Sequence, residues 1–396
     1  MSTVFTQPWF IPLVTGIIII ALAPLAVAFT VLLERKVLAD MQARLGPMRV
    51  GPNGVLQTLA DAVKLLLKED IVPKDANQWI FRFAPAISFF TGATCLTVVP
   101  FSDTIKVADV NVGLLVISAM SAVGILGLIL GGWSSNSHYS LLGGLRSAAQ
   151  LVSYEVALGL ALMSGVMCAG TLSLTGIVRA QQAQGVWFAF DNYGLMLVPM
   201  VIYFISSVAE TNRAPFDLPE AESELVAGYH TEYSGFRWGI YMLSEYINMF
   251  AVGSVLVTLF WGGWLRPFPS VSWLAVPMNY GMPLLVFGGT GLGCLYLSRR
   301  QPIQGYTIGM AGLGVAFLGV AALFMVPAVN APSAPVFWWA LKLFMVLYLF
   351  IWLRGTFPRY RYDQLMNIGW KIMIPTALGS IFVNAVVGMA RQTLGK

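Results

Sequence analysis

The chain has 396 residues; 57% are hydrophobic, only 10% carry charge, the net charge is +5 and the mean hydropathy is +0.75. So few charges cannot cover the surface of a water-soluble protein this long, whereas a bilayer core asks for runs of about 20 apolar residues per helix. Composition therefore excludes a soluble enzyme and predicts an all-α polytopic membrane protein, a single membrane domain over 1–396.

Apolar stretches bounded by charge, Pro or Gly predict ten transmembrane helices, near 11–33, 79–100, 110–132, 148–172, 191–209, 238–264, 273–297, 306–329, 336–353 and 369–390. The first is no cleaved signal: it lacks a basic start, is too long, and runs into Glu34-Arg35-Lys36 as a stop. Next comes the loop 34–78 with "GPNGVLQTLADAVKLLLKED". There Val55, Leu59, Val63 and Leu66 form one apolar stripe, with Asp61, Lys64 and Lys68 elsewhere on the circumference. Too polar to span, this segment is expected to lie in the interface as an amphipathic helix, either a packing element or a portal for a lipid-soluble substrate.

Between the fifth and sixth spans, the loop 209–237 holds "AETNRAPFDLPEAESELVAGYHTEY", with six of the eighteen acids: Glu210, Asp217, Glu220, Glu222, Glu224 and Glu232. Asp217 and Glu220 have capping-box spacing, with Pro219 tolerated in the first turn. Glu220 and Glu224 would then share a helix face, while Glu222 points away. Two carboxylates about 6 Å apart at an effective dielectric near 20 repel by roughly 3 kcal/mol, so such a cluster holds protons near neutral pH. The alternative is a solvated acidic loop that docks a basic partner. The last inner loop, "RGTFPRYRYDQLMNIGWK", is the electrostatic opposite, with Arg354, Arg359 and Arg361. These are either membrane anchors, the lining of a polar headgroup chamber, or a docking surface for another subunit.

Seventeen of the twenty-three Lys and Arg fall on loops that share one side if the N-terminus is outside; both termini are then expected outside. Four charged groups fall inside or at the edge of spans: Glu155, Glu210, Glu245 and Lys342. A charge at the bilayer centre costs on the order of 3 kcal/mol and usually marks an ion or substrate path. Several carboxyls at similar depth on different helices point to a proton-conducting cluster; neutral, internally bonded acids are the plainer alternative. Cys95, Cys168 and Cys294 lie singly in apolar segments, and His138 and His230 have no ligand-spaced partners. No metal site is expected, and any electron carrier belongs on another subunit.

Five stretches together resemble a known family: "ERKVLADMQARLGPMRVGPNGVLQTLADAVKLLLKED" (34–70), "SYE" (153–155), "AETNRAPFDLPEAESELVAGYHTEYSG" (209–235), "SEY" (244–246) and "LRGTFPRYRYDQLM" (353–366). The sequence resembles the H subunit family of bacterial respiratory complex I, the proton-pumping NADH:quinone oxidoreductase. The resemblance implies a subunit of the inner membrane without redox chemistry of its own. It would form most of a quinone tunnel and begin a chain of carboxylates that couples quinone reduction to proton translocation. Glu34, Arg35 and the 53–69 helix resemble the tunnel entrance, and Arg354 and Arg359 resemble basic groups facing the tunnel or a partner. Glu155, Glu210, Glu220, Glu222, Glu224, Glu232, Glu245 and Asp61 resemble the acidic funnel, and Lys342 the family's membrane lysine. Quinone is the implied substrate; FMN and iron–sulfur clusters are expected in partner subunits of the peripheral arm, beside other membrane-arm subunits and lipid, with no nucleic acid. The family core has eight spans, so residues 268–332, two apolar segments joined by "SRRQP", are expected as a two-helix insertion. Three alternatives remain: the equivalent anchor of a membrane-bound hydrogenase or F420H2 dehydrogenase, a lone secondary transporter, and a scaffold.

Overall fold

The computed structural model describes residues 10–218, 226–301 and 303–393, and among these there are helices and no strands. The helices are α1 (Phe10–Met41), α2 (Gln57–Leu67), α3 (Gln78–Val98), α4 (Gly113–Ser134), α5 (His138–Ala169), α6 (Leu174–Gln184) and α7 (Leu197–Glu210). After the acidic stretch come α8 (Gly235–Phe260), α9 (Met282–Ser298), α10 (Gln304–Phe324), α11 (Pro327–Thr356), α12 (Tyr362–Asn367) and α13 (Ile374–Thr393). Among the described residues, nine helical segments are long and apolar enough to cross a membrane.

The fifth expected span, 191–209, is the exception. Its helix α7 has 14 residues, about 21 Å at 1.5 Å per residue, against a hydrocarbon core of about 30 Å. Short 3₁₀ turns at Phe188–Phe190 and Asn192–Gly194 take up the rest of the segment. Their polar groups are held by protein: Asp191 pairs with Arg391 at 2.6 Å, and Asn192 receives the Arg391 guanidinium and donates to Asn384. Irregular backbone at this depth is tolerated where protein covers it.

Span edges differ in one systematic way. Helix α1 continues eight residues past the expected edge at 33, through Glu34, Arg35 and Lys36, to Met41. Helix α5 starts at His138 and α11 at Pro327, each about ten residues early. A charge or proline ends a span when lipid surrounds it. In α1 the extra turn meets other protein instead, and Glu34 finds partners there, while at the start of α11 only Asn330 and Ala334 are buried.

Alternation of direction puts the ends of α1, α4, α7 and α11, and the starts of α3, α5 and α8, at one end of the bundle, hereafter the charged end. The described termini lie at the opposite, far end. Helix α8 is the central pillar: 78% of its most apolar window is buried, against 17% for α1. It contacts α1, α2, α3, α6, α7 and α11. Helices pack in lipid through close van der Waals approach rather than a hydrophobic drive, so small residues mark the contacts. On α4, a methyl added to Gly127 would overlap the Ser88 hydroxyl of α3. The hydroxyls of Ser254 and Thr258 on α8 donate to the carbonyls of Phe250 and Ser254, at 2.6 and 2.7 Å, so these groups enter the core satisfied.

Candidate functional site

At the charged end a cavity of about 570 Å³ opens between α1, α2, α8 and the turn that follows α7. Part of its lining is apolar, with Pro24, Val27 and Val31 of α1 and Leu65 and Leu66 of α2. Its inner wall is ionic, carrying Glu34, Arg35, Asp61, Arg213, Asp217, Glu245 and Arg354. Such a chamber, apolar in one part and charged in another, suits an amphiphile with a polar head and an apolar tail.

Glu34 organises that wall. It is 5% exposed and accepts from the Tyr246 hydroxyl at 2.8 Å, from Arg213 at 3.4 Å, and from Arg354. The Arg213 guanidinium also lies 4.0 Å from the Tyr246 ring centroid, a cation–π contact. Burial alone would lower the Arg213 pKa, but Tyr246, Glu34 and Glu245 outweigh it and raise it above the usual value, so Arg213 stays a cation. Arg35 bonds Asp61 of α2 at 2.5 Å. The apolar stripe expected on α2 faces outward, with Leu59 60% and Val63 46% exposed, while Asp61 faces the cavity. That is the amphipathic arrangement expected of an interfacial helix.

A second, smaller cavity of about 60 Å³ lies between α3, α4, α7 and α8, with walls that are largely apolar (Ile117, Leu151, Val252) but interrupted by polar groups. Glu210, Ser121, Asn248 and the hydroxyls of Ser88, Thr91 and Ser244 line it. Its size admits a few water molecules, which need several polar partners each, and the lining supplies them. The two cavities share two residues, Asn212 and Glu245. Glu245 is 9% exposed and accepts from the Tyr229 hydroxyl at 3.0 Å. At the other side of the small cavity, Ser121 donates to Glu210 Oε1, while Glu210 Oε2 is buried with no hydrogen-bond partner among the described residues. Glu155, seventeen residues into α5, is half-buried and close enough to Glu210 to interact electrostatically. Helices α5 and α7 are pinned here by Gln150, whose amide donates to the carbonyls of Ala209 and Phe216, both at 2.8 Å.

Of the site residues expected from sequence, Glu34, Arg35, Asp61, Glu245 and Arg354 therefore meet at the large cavity, and Glu210 and Glu155 follow from it. Arg359 is set back, paired at 3.0 Å with Asp217 rather than lining the chamber. Glu232 is half-buried in the turn before α8 and lines neither cavity. Glu220, Glu222 and Glu224, with the capping box expected there, lie outside the described residues.

Lys342 is not brought together with the acids. Its ammonium, 3% exposed, donates to the carbonyls of Trp261, Gly263 and Leu265 and lies 4.3 Å from the Trp187 ring. Gly262 and Gly263 take positive φ (72° and 52°), which turns the chain so that these carbonyls converge. Trp261 is sixteen residues past Glu245, a separation of about 24 Å along α8.

Sequence reading missed Arg213, Tyr246, Tyr229, Asn212 and Ser121 as site residues. Arg213 carried a signal, a lone cation within the acid-rich stretch. The others did not, because hydroxyls and amides are unremarkable in sequence until a fold aims them at a carboxylate. Among the described residues no group of three or more His, Cys, Asp or Glu is placed to hold a metal ion.

Fold and site together define a polytopic helical membrane protein with a charge-walled chamber that shares two lining residues, Asn212 and Glu245, with a smaller buried cavity. A family model described as NADH dehydrogenase matches residues 14–385. Among curated relatives, the second NADH-quinone oxidoreductase H subunit of Solibacter usitatus (strain Ellin6076) is 62% identical over 391 residues, 98% of this chain and 99% of that protein. The first NADH-quinone oxidoreductase H subunit of Koribacter versatilis (strain Ellin345) is 50% identical, covering 96% of this chain and 92% of its own. The NADH-quinone oxidoreductase H subunit of Rhodospirillum centenum (strain ATCC 51521 / SW) is 43% identical, covering 91% and 89%. The chain belongs to this NADH dehydrogenase family, alongside these H-type proteins. The relatives favour the complex I reading over a hydrogenase anchor.

Proposed function

We propose that the chain is the H-type membrane-arm component of a proton-translocating NADH:quinone oxidoreductase, in which it carries no redox group. In this reading the charged end is cytoplasmic, both termini lie outside, and the protein sits in a bacterial inner membrane. Quinone slides in laterally past α2 and seats its tail along the apolar lining. Its head reaches the wall of Glu34, Arg35, Arg213 and Arg354, beneath an iron–sulfur centre in a soluble partner that also relies on FMN upstream. Two electrons from that partner and two protons convert quinone to quinol.

The observation that carries the proposal is Glu245, which borders both the large chamber and the small cavity that Glu210 also lines. Proton demand at the quinone head changes the charge facing Glu245. Glu245 exchanges a proton across the small cavity with Glu210, and Glu210 with Glu155, from which the disturbance passes to neighbouring membrane-arm subunits. Asp61, Glu232 and the acids at 220, 222 and 224 extend the same acidic field towards the surface. Arg359 steadies Asp217 at the chamber's edge. Lys342 stands outside this path and anchors the end of α8.

The test is deamino-NADH oxidation and proton pumping in membranes carrying Glu155→Gln, Glu210→Gln or Glu245→Gln. A gap in the relay lowers both rates by at least about tenfold if transfer across it is cut by 1.4 kcal/mol or more. Wild-type pumping in all three, with normal assembly, would remove the relay from the mechanism.

A further inference from the structure

Helix α2 forms one wall of the large cavity, yet none of its residues is buried. Besides the Arg35–Asp61 pair and its contacts with α1 and α8, it is held at both ends. After its C-terminus, the amide of Ile71 donates to Ser234 Oγ at 3.0 Å, and Asp70 pairs with Arg237 at 3.0 Å. Before its N-terminus, residues 47–56 make a tight turn, in which Gly51, Asn53 and Gly54 all take positive φ. A methyl on Gly54 would overlap the Pro47 carbonyl, so the turn has one way to close. Lys36 of α1 ties it from one side, donating to the Asn53 carbonyl at 2.7 Å.

The other side of this turn meets the α9–α10 hairpin. The Tyr306 hydroxyl donates to the Arg49 carbonyl at 3.4 Å, and Gly309 of α10 faces Pro52, with a Cβ there 3.6 Å from the proline ring. The hairpin itself is fixed at the far end of the bundle. Asn330 of α11 donates to the carbonyls of Asn279 and Phe324 at 2.9 Å, and Trp338 donates to Asn279 Oδ1 at 3.0 Å. Phe287 and Phe324 pack on Phe337 of α11 with ring centroids 5.8 Å apart in each case. No described residue of the hairpin lines the large cavity. The hairpin thus runs from a firm anchor on α11 to the turn that holds the N-terminal end of α2.

We infer that the α9–α10 hairpin is a brace for α2: by fixing the 47–56 turn it sets how far the N-terminal half of α2, with Thr58, Asp61 and Ala62, stands from α1, and so sets the width of the cavity and selects substrates by their length and bulk. Tyr306 and Gly309 are its positioning residues and touch no substrate. The inference rests on the proposed quinone reading of the cavity for its substrate, although the mechanical link does not.

The experiment uses the assembled complex in lipid, in three forms: wild type, Gly309→Leu, whose side chain pushes Pro52 away, and a deletion of 282–324 bridged by a short Gly-Ser linker. Amide hydrogen exchange of residues 57–67 is read beside KM and kcat for a long-tailed and a short-tailed quinone. Both variants are expected to speed exchange of α2 by about tenfold, as local opening becomes easier. They are also expected to shift the KM ratio of the two quinones by at least about fivefold, with kcat for the short-tailed one unchanged, the signature of altered access rather than altered chemistry. Unchanged α2 exchange in an assembled deletion complex overturns the brace. Where the deletion does not assemble, unchanged exchange in Gly309→Leu overturns it equally. Faster exchange with an unmoved KM ratio overturns its role in selection. Failure of the quinone reading shows separately, as an Arg354→Met complex with wild-type KM for both quinones.

Discussion

Replacing Glu34 by Gln removes the one anion that Arg213, Arg354 and Tyr246 share. At 3.4 Å from Arg213, the Coulomb attraction is about 5 kcal/mol for an effective dielectric near 20. Most of that is not net stability, because burying Glu34 has its own desolvation cost, which vanishes with the charge. Arg354 also contributes little, since its side chain is 41% exposed and water screens it. Arg213 is different: its side chain is 9% exposed and cannot turn to solvent. Breaking a buried pair on one side costs about 3–5 kcal/mol, and the screening of Arg354 puts the expected loss near 3 kcal/mol at the lower end of that range. The double variant Glu34→Gln/Arg213→Gln leaves no buried unpaired cation, only the solvent-screened Arg354, so its cost should fall short of the sum by about 2 kcal/mol. Denaturant titration of the purified chain in bicelles measures these differences, and quinone KM in assembled complex reports the chamber wall. A Glu34→Gln loss below about 0.5 kcal/mol, the range of ordinary surface changes, or strict additivity in the double variant, would refute the idea that this pair organises the wall.

Two further outcomes follow from the geometry. Lys342→Met strips the donor from three buried carbonyls, each costing about 1–3 kcal/mol when unpaired, so thermal stability in detergent should drop sharply. Protons pumped per electron in whatever complex survives should stay at the wild-type value, because Lys342 lies far from Glu245; a changed ratio would return it to the relay. At the far end, the hydrogen bond from Lys106, with a second from Thr175, holds the Asp109 carboxyl below its usual value of 3.8. A lowered carboxyl stabilises the fold above its unfolded pKa and loses that contribution as pH falls through the folded value. Asp109→Asn should therefore cost under about 1 kcal/mol at pH 7, as befits a pair open to solvent, and the gap to wild type should close below pH 3.8 in urea titrations followed across pH.

Sequence alone determined that this chain lives in a bilayer, since no arrangement of 10% charged residues can clothe it in water. It also singled out the amphipathic stripe of α2 and the carboxyls at 155, 210 and 245, because an acid in an apolar run is costly wherever the helix ends up. Tertiary structure decided what those groups meet. Glu34 looked like the stop signal of the first span; packing carries α1 onward and joins Glu34 to Arg213 and Arg354, 179 and 320 residues away. Lys342 looked like a companion of the acids, and the fold instead surrounds it with carbonyls at the end of α8. Segment 191–209 was apolar enough for a full span, but protein partners for Asp191 and Asn192 let part of it leave the helix. In each case sequence fixes which groups cannot face lipid, through the local cost of burying them. Only the packing of distant helices supplies the partner that offsets that cost, and so chooses between an anchor, a chamber wall and a path for protons.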